Sequence, residues 1–348
     1  MKQPETAAQS SALHRKAREA PVAAGSKAAV VVPVTVIVPS YRRKTYLSQA
    51  LASIAAQEHV QPMEVIVIDD GSKDGTAELA ASLGARVIEK AQNEGLAAAR
   101  HDGVSSAKGA EWVAMLDDDD QWLPHHLHTL WSQRDDHVMV GGTAVTFGGG
   151  LPRVHGCPKE VAEVVRSPAR LVFPANSFAA SATLVRRDVV LAAGNFDRGL
   201  RYLEDFDTWL RVLEYGTGLL LPEVTCLYRV HPEQISKNRT EMLACAAEVM
   251  AKYMDRPWLT PRVREALAVV EAWDNFQAAR AGRDWAEAFQ EAAWLIGRPT
   301  RTAALAKVWM LRRQVRHRSV PPEVRLAVRD ATDRSETNEA TEPADGAG

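Results

Sequence analysis

The stretch EWVAMLDDDDQW, residues 111–122, runs an apolar segment straight into four consecutive aspartates, Asp117 to Asp120. Adjacent carboxylates repel and cannot pair with one another, so they need water or a cation around them. From these residues alone two readings stand open. One is a solvated acidic turn, and the other is a divalent cation site with an anionic ligand behind it. The apolar half has the length and bounded character of a buried strand, and its surroundings decide what kind of sheet it joins.

Working outward, VTVIVPS (34–40) is a β-branched run ended by Pro39 and Ser40, and MEVIVIDDGS (63–72) is a second buried strand. Between them, RKTYLSQALASIAAQ (43–57) sets Leu47, Ala50, Leu51 and Ile54 at helical spacing. A helix over TAELAASLG (76–84), closed by Gly84, a strand over ARVIEK (85–90) and a helix over EGLAAARHDGVSSA (94–107) follow. Strands alternating with helices at this interval predict an α/β fold, a mostly parallel sheet with helices on both faces. Such sheets bind ligands beyond the carboxyl ends of their strands. The three polar strand ends, PSYRR, DDGSKDG and DDDDQW, therefore belong to one rim in space.

The second half is less regular. FAASATLVRRDVVLAAGNFD (178–197) predicts a strand, a short helix and a turn, and EDFDTWLRVLEYG (204–216) an amphipathic helix burying Phe206, Trp209, Leu210 and Leu213. GLLLPEVTCLYRVH (218–231) reads as extended, and residues 240–320 as a helical C-terminal region. Residues 1–32, Ala-rich and without the apolar core of a signal peptide, are expected to be a disordered arm, and 321–348 a mostly disordered acidic tail. Hydrophobic residues make up 46% and charged residues 25%, with a net charge of -2, which gives no global attraction to nucleic acid. No apolar run reaches the ~18 residues of a membrane span. The three cysteines, Cys157, Cys226 and Cys245, lack metal-ligand spacing, so a reducing, cytoplasmic setting is expected. The basic, amphipathic RTAALAKVWMLRRQVRHRS (301–319) has the composition to lie on anionic lipid at the inner face of a membrane.

The series VTVIVPSYRR, EVIVIDDGSKDGT, NEGLAAARHDGV, WVAMLDDDDQWLP, GNFD…LEDFDTWLR and YRVHPEQIS resembles the family 2 glycosyltransferases in order and spacing. The resemblance implies the GT-A fold, a nucleotide-sugar-binding, Rossmann-like sheet, over a catalytic domain at 33–239. It also implies inverting transfer from a nucleoside-diphosphate sugar, most often UDP-linked, to an acceptor hydroxyl on a glycan, a lipid-linked molecule or a small molecule.

On that resemblance the aspartates become a DxD motif holding Mn²⁺ or Mg²⁺, hard cations suited to carboxylate and phosphate oxygens. Two registers fit. In the favoured one Asp119 is the metal ligand, with Asp117 toward the donor ribose or sugar and Asp118 beside the donor. Asp70 would accept from the base N–H, Tyr41 would lie against the base, and Pro39 and Ser40 would line that pocket. Arg100 would lie near the donor phosphates or the aspartate loop, and His231 would reach the diphosphate or the metal, with Arg229 a weaker candidate. Asp205, in the Glu-Asp pair at a helix start, would be the catalytic base, and a helix N-terminus is expected to keep it ionised. Two alternatives are a nucleotidyltransferase and a non-catalytic sugar-nucleotide-binding protein. PSYRRKTY lacks the glycines of a nucleotidyltransferase phosphate loop.

Overall fold

A computed structural model describes residues 29–149, 151–157, 160–172, 177–234, 239–282, 285–296, 301–303, 306 and 320–339. The chain runs β1 (Val30–Ser40), α1 (Lys44–Ala55), β2 (Val60–Asp69), α2 (Thr76–Ser82), β3 (Arg86–Glu89), α3 (Leu96–Ser106), β4 (Trp112–Met115), β5 (Gln121–Trp122), α4 (His126–Trp131) and β6 (Met139–Phe147). It continues through β7 (Val154–His155), β8 (Glu163–Val165), α5 (Ala169–Val172), β9 (Thr183–Arg186), α6 (Arg187–Ala192), α7 (Glu204–Val212) and β10 (Gly218–Arg229). Helices α8 (Arg239–Ala251), α9 (Pro261–Gly282), α10 (Trp285–Ile296) and α11 (Pro322–Glu339) follow.

The strand alternation predicted from sequence assembles one sheet in the order β3-β2-β1-β4-β9-β6-β10-β5, with β7 beside β6 and β8 beside β10. Its first four strands are all parallel. Beyond β4 the sheet is mixed, because β9 runs antiparallel to both β4 and β6, while β6 and β10 are parallel to each other. Side chains alternate across β1 as the pleat requires. Val34, Val36 and Val38 pack with Leu47, Ala50, Leu51 and Ile54 of α1 on one face. Ile37 packs with Ile66, Ile68, Ala99 and Val104 on the other, where α3, α6, α7 and α8 lie. Helices thus cover both faces and leave the carboxyl ends of β1, β2 and β4 as an open rim.

Two expected boundaries move. Val30, Val31 and Val32 are not part of an arm but pair with Val60, Gln61 and Pro62 at the start of β1; residues 1–28 lie outside the described residues. The expected disordered tail is a helix over Pro322–Glu339. Val324, Val328 and Ala331, at i, i+4 and i+7, pack on Leu123, Val145, Phe147 and Leu227. That buried stripe holds the helix despite its charged remainder. Most of the basic stretch 301–319 lies outside the described residues. Among those described, no helix is long and apolar enough to cross a membrane.

Candidate active site

Asp117 to Asp120 form a tight turn directly after β4, closed by the Asp120 N–H donating to the Asp117 carbonyl at 3.1 Å. Each aspartate has its own partners. Asp117 accepts from Arg100 Nη2 at 2.5 Å, and its N–H donates to Ser181 Oγ at 3.1 Å. Asp118 accepts from Ser40 Oγ at 2.8 Å and from Arg43 Nη1 at 3.3 Å. Asp119 Oδ2 lies 2.9 Å from Arg43 Nη1 and 2.9 Å from His231 Nε2. Because an ionised carboxylate only accepts, the second contact puts the proton on Nε2. Asp120 Oδ1 accepts from the Arg229 N–H at 2.9 Å, while its Oδ2 is buried without a partner.

Of the four, Asp117, Asp119 and Asp120 bring one carboxylate oxygen each within 4.8 Å of one another, a set able to hold a metal ion. Asp118 faces Ser40 instead. Burial pushes the Asp118 carboxyl up to about 7, with repulsion from Asp119 adding to it and Arg43 and Ser40 opposing it. Burial also drives Asp120 well above the usual carboxylate range, helped by Asp119 and Asp117. Burial acts on Asp119 in the same direction, but the hydrogen bond from His231 and the Arg43 charge outweigh it and hold Asp119 low.

Opposite the turn stands the start of α7. It is set by Leu203, whose φ of 59° is left-handed, an uncommon conformation for a leucine. Glu204 receives Arg100 Nη1, so one guanidinium that is 2% exposed joins the acidic turn to the helix bearing Asp205. Burial lifts Glu204 to about 7, with Asp205 adding repulsion and Arg100 pulling the other way. The expectation that the helix start keeps the Asp205 pKa from rising is corrected. Burial raises its pKa, only partly offset by Arg100 and by the Phe206 N–H that its Oδ1 accepts at 2.6 Å. Desolvation of a carboxylate outweighs a helix end worth about 0.3–1 kcal/mol.

The remaining predicted residues divide. Pro39 and Ser40 are buried at the end of β1, and Tyr41 beyond them is 37% exposed, with the Arg42 guanidinium 5.1 Å from its ring centre. Asp70 is 4% exposed and committed to the chain itself. It accepts from the Glu94 and Gly95 N–H groups at 3.0 and 2.8 Å and pairs with Lys90 at 3.3 Å, tying β2 to the start of α3. His231 lies beside Asp119. Arg229 lies between the rings of Tyr46 and Phe147, each 4.4 Å away, and donates to the Asp119 carbonyl.

Three participants escaped the sequence reading. Arg43 stood in the quoted PSYRR rim, where a cation beside a strand end was a usable signal. Glu204 has no role of its own in the sequence reading, although its pairing with Asp205 marks the same helix start. Ser181 carried no signal, since only the return of β9 beside β4 brings it near. A cavity of about 500 Å³ opens between Phe196, Arg198, Arg211, Lys252 and Tyr253, away from the aspartates. Its cations are already taken by Asp102, Asp207 and Asp197.

Comparison with known proteins agrees with this geometry. Residues 35–178 match the family model Glycosyl transferase family 2. TuaG, a glycosyltransferase of Bacillus subtilis, is 28% identical over 218 residues, covering 59% of this chain and 82% of that one. The S. aureus TarS structure in complex with UDP-GlcNAc aligns with a TM-score of 0.57 at 17% identity, over 81% of each chain. The Pyrobaculum calidifontis mannosyltransferase PcManGT, in complex with GDP-Man and Mn²⁺, aligns with a TM-score of 0.54 at 19% identity, over 86% of this chain and 91% of that one. The fold is the GT-A glycosyltransferase fold. Over residues 35–178 the chain is similar to the family 2 glycosyltransferases.

Proposed function

We propose that the protein is an inverting, metal-dependent glycosyltransferase moving a sugar from a nucleoside-diphosphate sugar, UDP-linked, to an acceptor hydroxyl. One observation carries this most directly. Through Arg100, the acidic turn and the Glu204–Asp205 helix start share one rim, as a leaving-group site and a base must. The donor class is further supported by the nucleotide sugars bound to the two structural neighbours.

The residues present fit a divalent cation. Among the described residues, six carboxylates, Asp117 to Asp120 with Glu204 and Asp205, share Arg43, Arg100, Arg229 and His231. Asp120 Oδ2 is a buried acceptor with no partner. Asp117, Asp119 and Asp120 would hold the ion, Mn²⁺ or Mg²⁺, which supplies positive charge for the departing diphosphate. His231, next to Asp119, would add a donor to that diphosphate. Asp205 would take the proton from the acceptor hydroxyl. The acceptor oxygen then bonds to the anomeric carbon as its bond to the diphosphate oxygen breaks, which inverts the centre. Its raised pKa brings Asp205 nearer the range of a working base. Pro39, Ser40 and Tyr41 would line the base pocket. With its oxygens already engaged, Asp70 is better suited to shaping that pocket than to meeting the base.

The test is donor turnover by purified protein with UDP-, GDP- and dTDP-sugars, in Mn²⁺, Mg²⁺ or EDTA, reading free diphosphate. Metal-dependent release of one nucleotide is expected, lowered about 10²- to 10⁴-fold in Asp205→Asn and strongly in Asp119→Ala. Pyrophosphate release from a nucleoside triphosphate and a sugar phosphate would point instead to a nucleotidyltransferase.

A further inference from the structure

Three arginines border the aspartate turn, and they are held very differently. Arg100 and Arg229 are each 2% exposed. Arg100 spans Asp117 and Glu204, and Arg229 is packed between two aromatic rings while bonded to the Asp119 carbonyl and to Gln49 Oε1 at 2.6 Å. Neither can leave without opening the interior. Arg43 is at the head of α1 on the open rim, with its side chain 24% exposed. It reaches Asp118 Oδ1 at 3.3 Å and Asp119 Oδ2 at 2.9 Å through Nη1 alone. A guanidinium can grip a carboxylate with two parallel bonds, so contact through one nitrogen is the weaker mode.

That contact falls on Asp119, a member of the three-carboxylate set able to hold a cation. A divalent ion bound to Asp119 would repel a guanidinium resting on the same carboxylate, because at such short range like charges in a partly buried site are costly. Arg43 has somewhere to go. It stands on the rim beside Ser40 and Tyr41, and its planar fork matches a phosphate as well as a carboxylate.

Taking the divalent site and the diphosphate donor above as given, we propose that Arg43 is an exchangeable counter-ion. It neutralises Asp118 and Asp119 in the nucleotide-free protein, yields Asp119 to the metal, and then engages the donor diphosphate. The metal therefore displaces a charge the protein itself supplies, and binds well only when a diphosphate is present to receive Arg43.

Titration calorimetry on the full chain tests this, with MnCl₂ alone and then with UDP, or GDP where UDP does not bind, in saturating Mn²⁺. Circular dichroism and thermal unfolding check that each variant is folded. Arg43→Met is expected to bind Mn²⁺ alone about fivefold or more tightly than the unsubstituted protein. It should bind the nucleotide about tenfold or more weakly. Arg43→Lys keeps the competing charge, so it should return Mn²⁺ affinity to the starting value while leaving nucleotide affinity low for want of the fork. Mn²⁺ affinity in Arg43→Met equal to or below that of the unsubstituted protein overturns the exchange, and unchanged nucleotide affinity overturns the diphosphate contact. Failure of the unsubstituted protein to bind Mn²⁺ or Mg²⁺ with any nucleoside diphosphate overturns the metal-dependent function itself, and does so without reference to Arg43.

Discussion

Arg100 is 2% exposed and is the link between Asp117 and Glu204. Removing one side of a buried ion pair strands the other charges, at a cost of about 3–5 kcal/mol. Arg100→Met should therefore lower the unfolding free energy measured in urea by that amount and abolish turnover. Arg100→Lys should rescue little, since one ammonium cannot span both carboxylates. The same burial gives a pH dependence. Glu204 has an ordinary value of 4.5 and is pushed up to about 7 in the folded protein, first by burial. Between those values the folded state holds more protons than the unfolded state, so the stability Glu204 contributes is complete below 4.5 and is lost as pH rises through about 7. Asp118, Asp120 and Asp205 shift in the same direction. In EDTA, the thermal midpoint should fall across this window, and the fall should be shallower in Glu204→Gln. The sequence marked the aspartates and Asp205 because acids at strand ends and helix starts stand out against apolar runs. It could not mark which would be buried, and burial raises the pKa of Asp205 where a helix start was expected to keep it low.

Elements built from short-range periodicity were legible: α1 and α3 fall where their apolar spacing sets them, and β1, β2 and β4 where β-branched runs end in polar residues. The packing between them is tighter than periodicity reveals. A Cβ at Gly103, within α3, would collide with Ile37 Cγ2 of β1. Alanine is the better helix former by about 1 kcal/mol, yet Gly103→Ala should destabilise the protein by about 1–3 kcal/mol through overpacking, as read by urea unfolding. Helix α11 was hidden for the opposite reason. Its apolar stripe is only Val324, Val328 and Ala331 amid Arg325, Arg329, Asp330, Asp333 and Arg334, and charge dominates any window average. Val328→Asp would bury a charge against Val145 and Phe147. Hydrogen exchange over 322–339 should then rise toward that of unstructured chain while the β1–β4 half of the sheet stays protected.

At the scale of the molecule, the parallel half of the sheet follows from βαβ alternation, whereas the antiparallel return of β9 between β4 and β6 has no local signature. That return closes the site. It sets Ser181 under the acidic turn, and β10 beyond it delivers Arg229 and His231. The rim is thus assembled from distant segments, and a cation held there, as proposed, would offset its carboxylates, so that ligand binding and folding would be linked. A ligand present at 100 times its dissociation constant adds about 2.7 kcal/mol to stability. Each kcal/mol moves the midpoint of a chain this size by about 1.5 °C. Mn²⁺ with the matching nucleoside diphosphate should accordingly raise the midpoint by about 4 °C, and EDTA or Asp119→Ala should remove the shift. Protons and metal would compete for the same carboxylates, one of which, Asp120, holds its proton unusually firmly. Without metal the midpoint falls as pH rises, and with metal and nucleotide it should fall less or climb. The stabilisation should therefore be larger at pH 8 than at pH 6, and a stabilisation that shrank as pH rose would mean that the cation does not bind these aspartates.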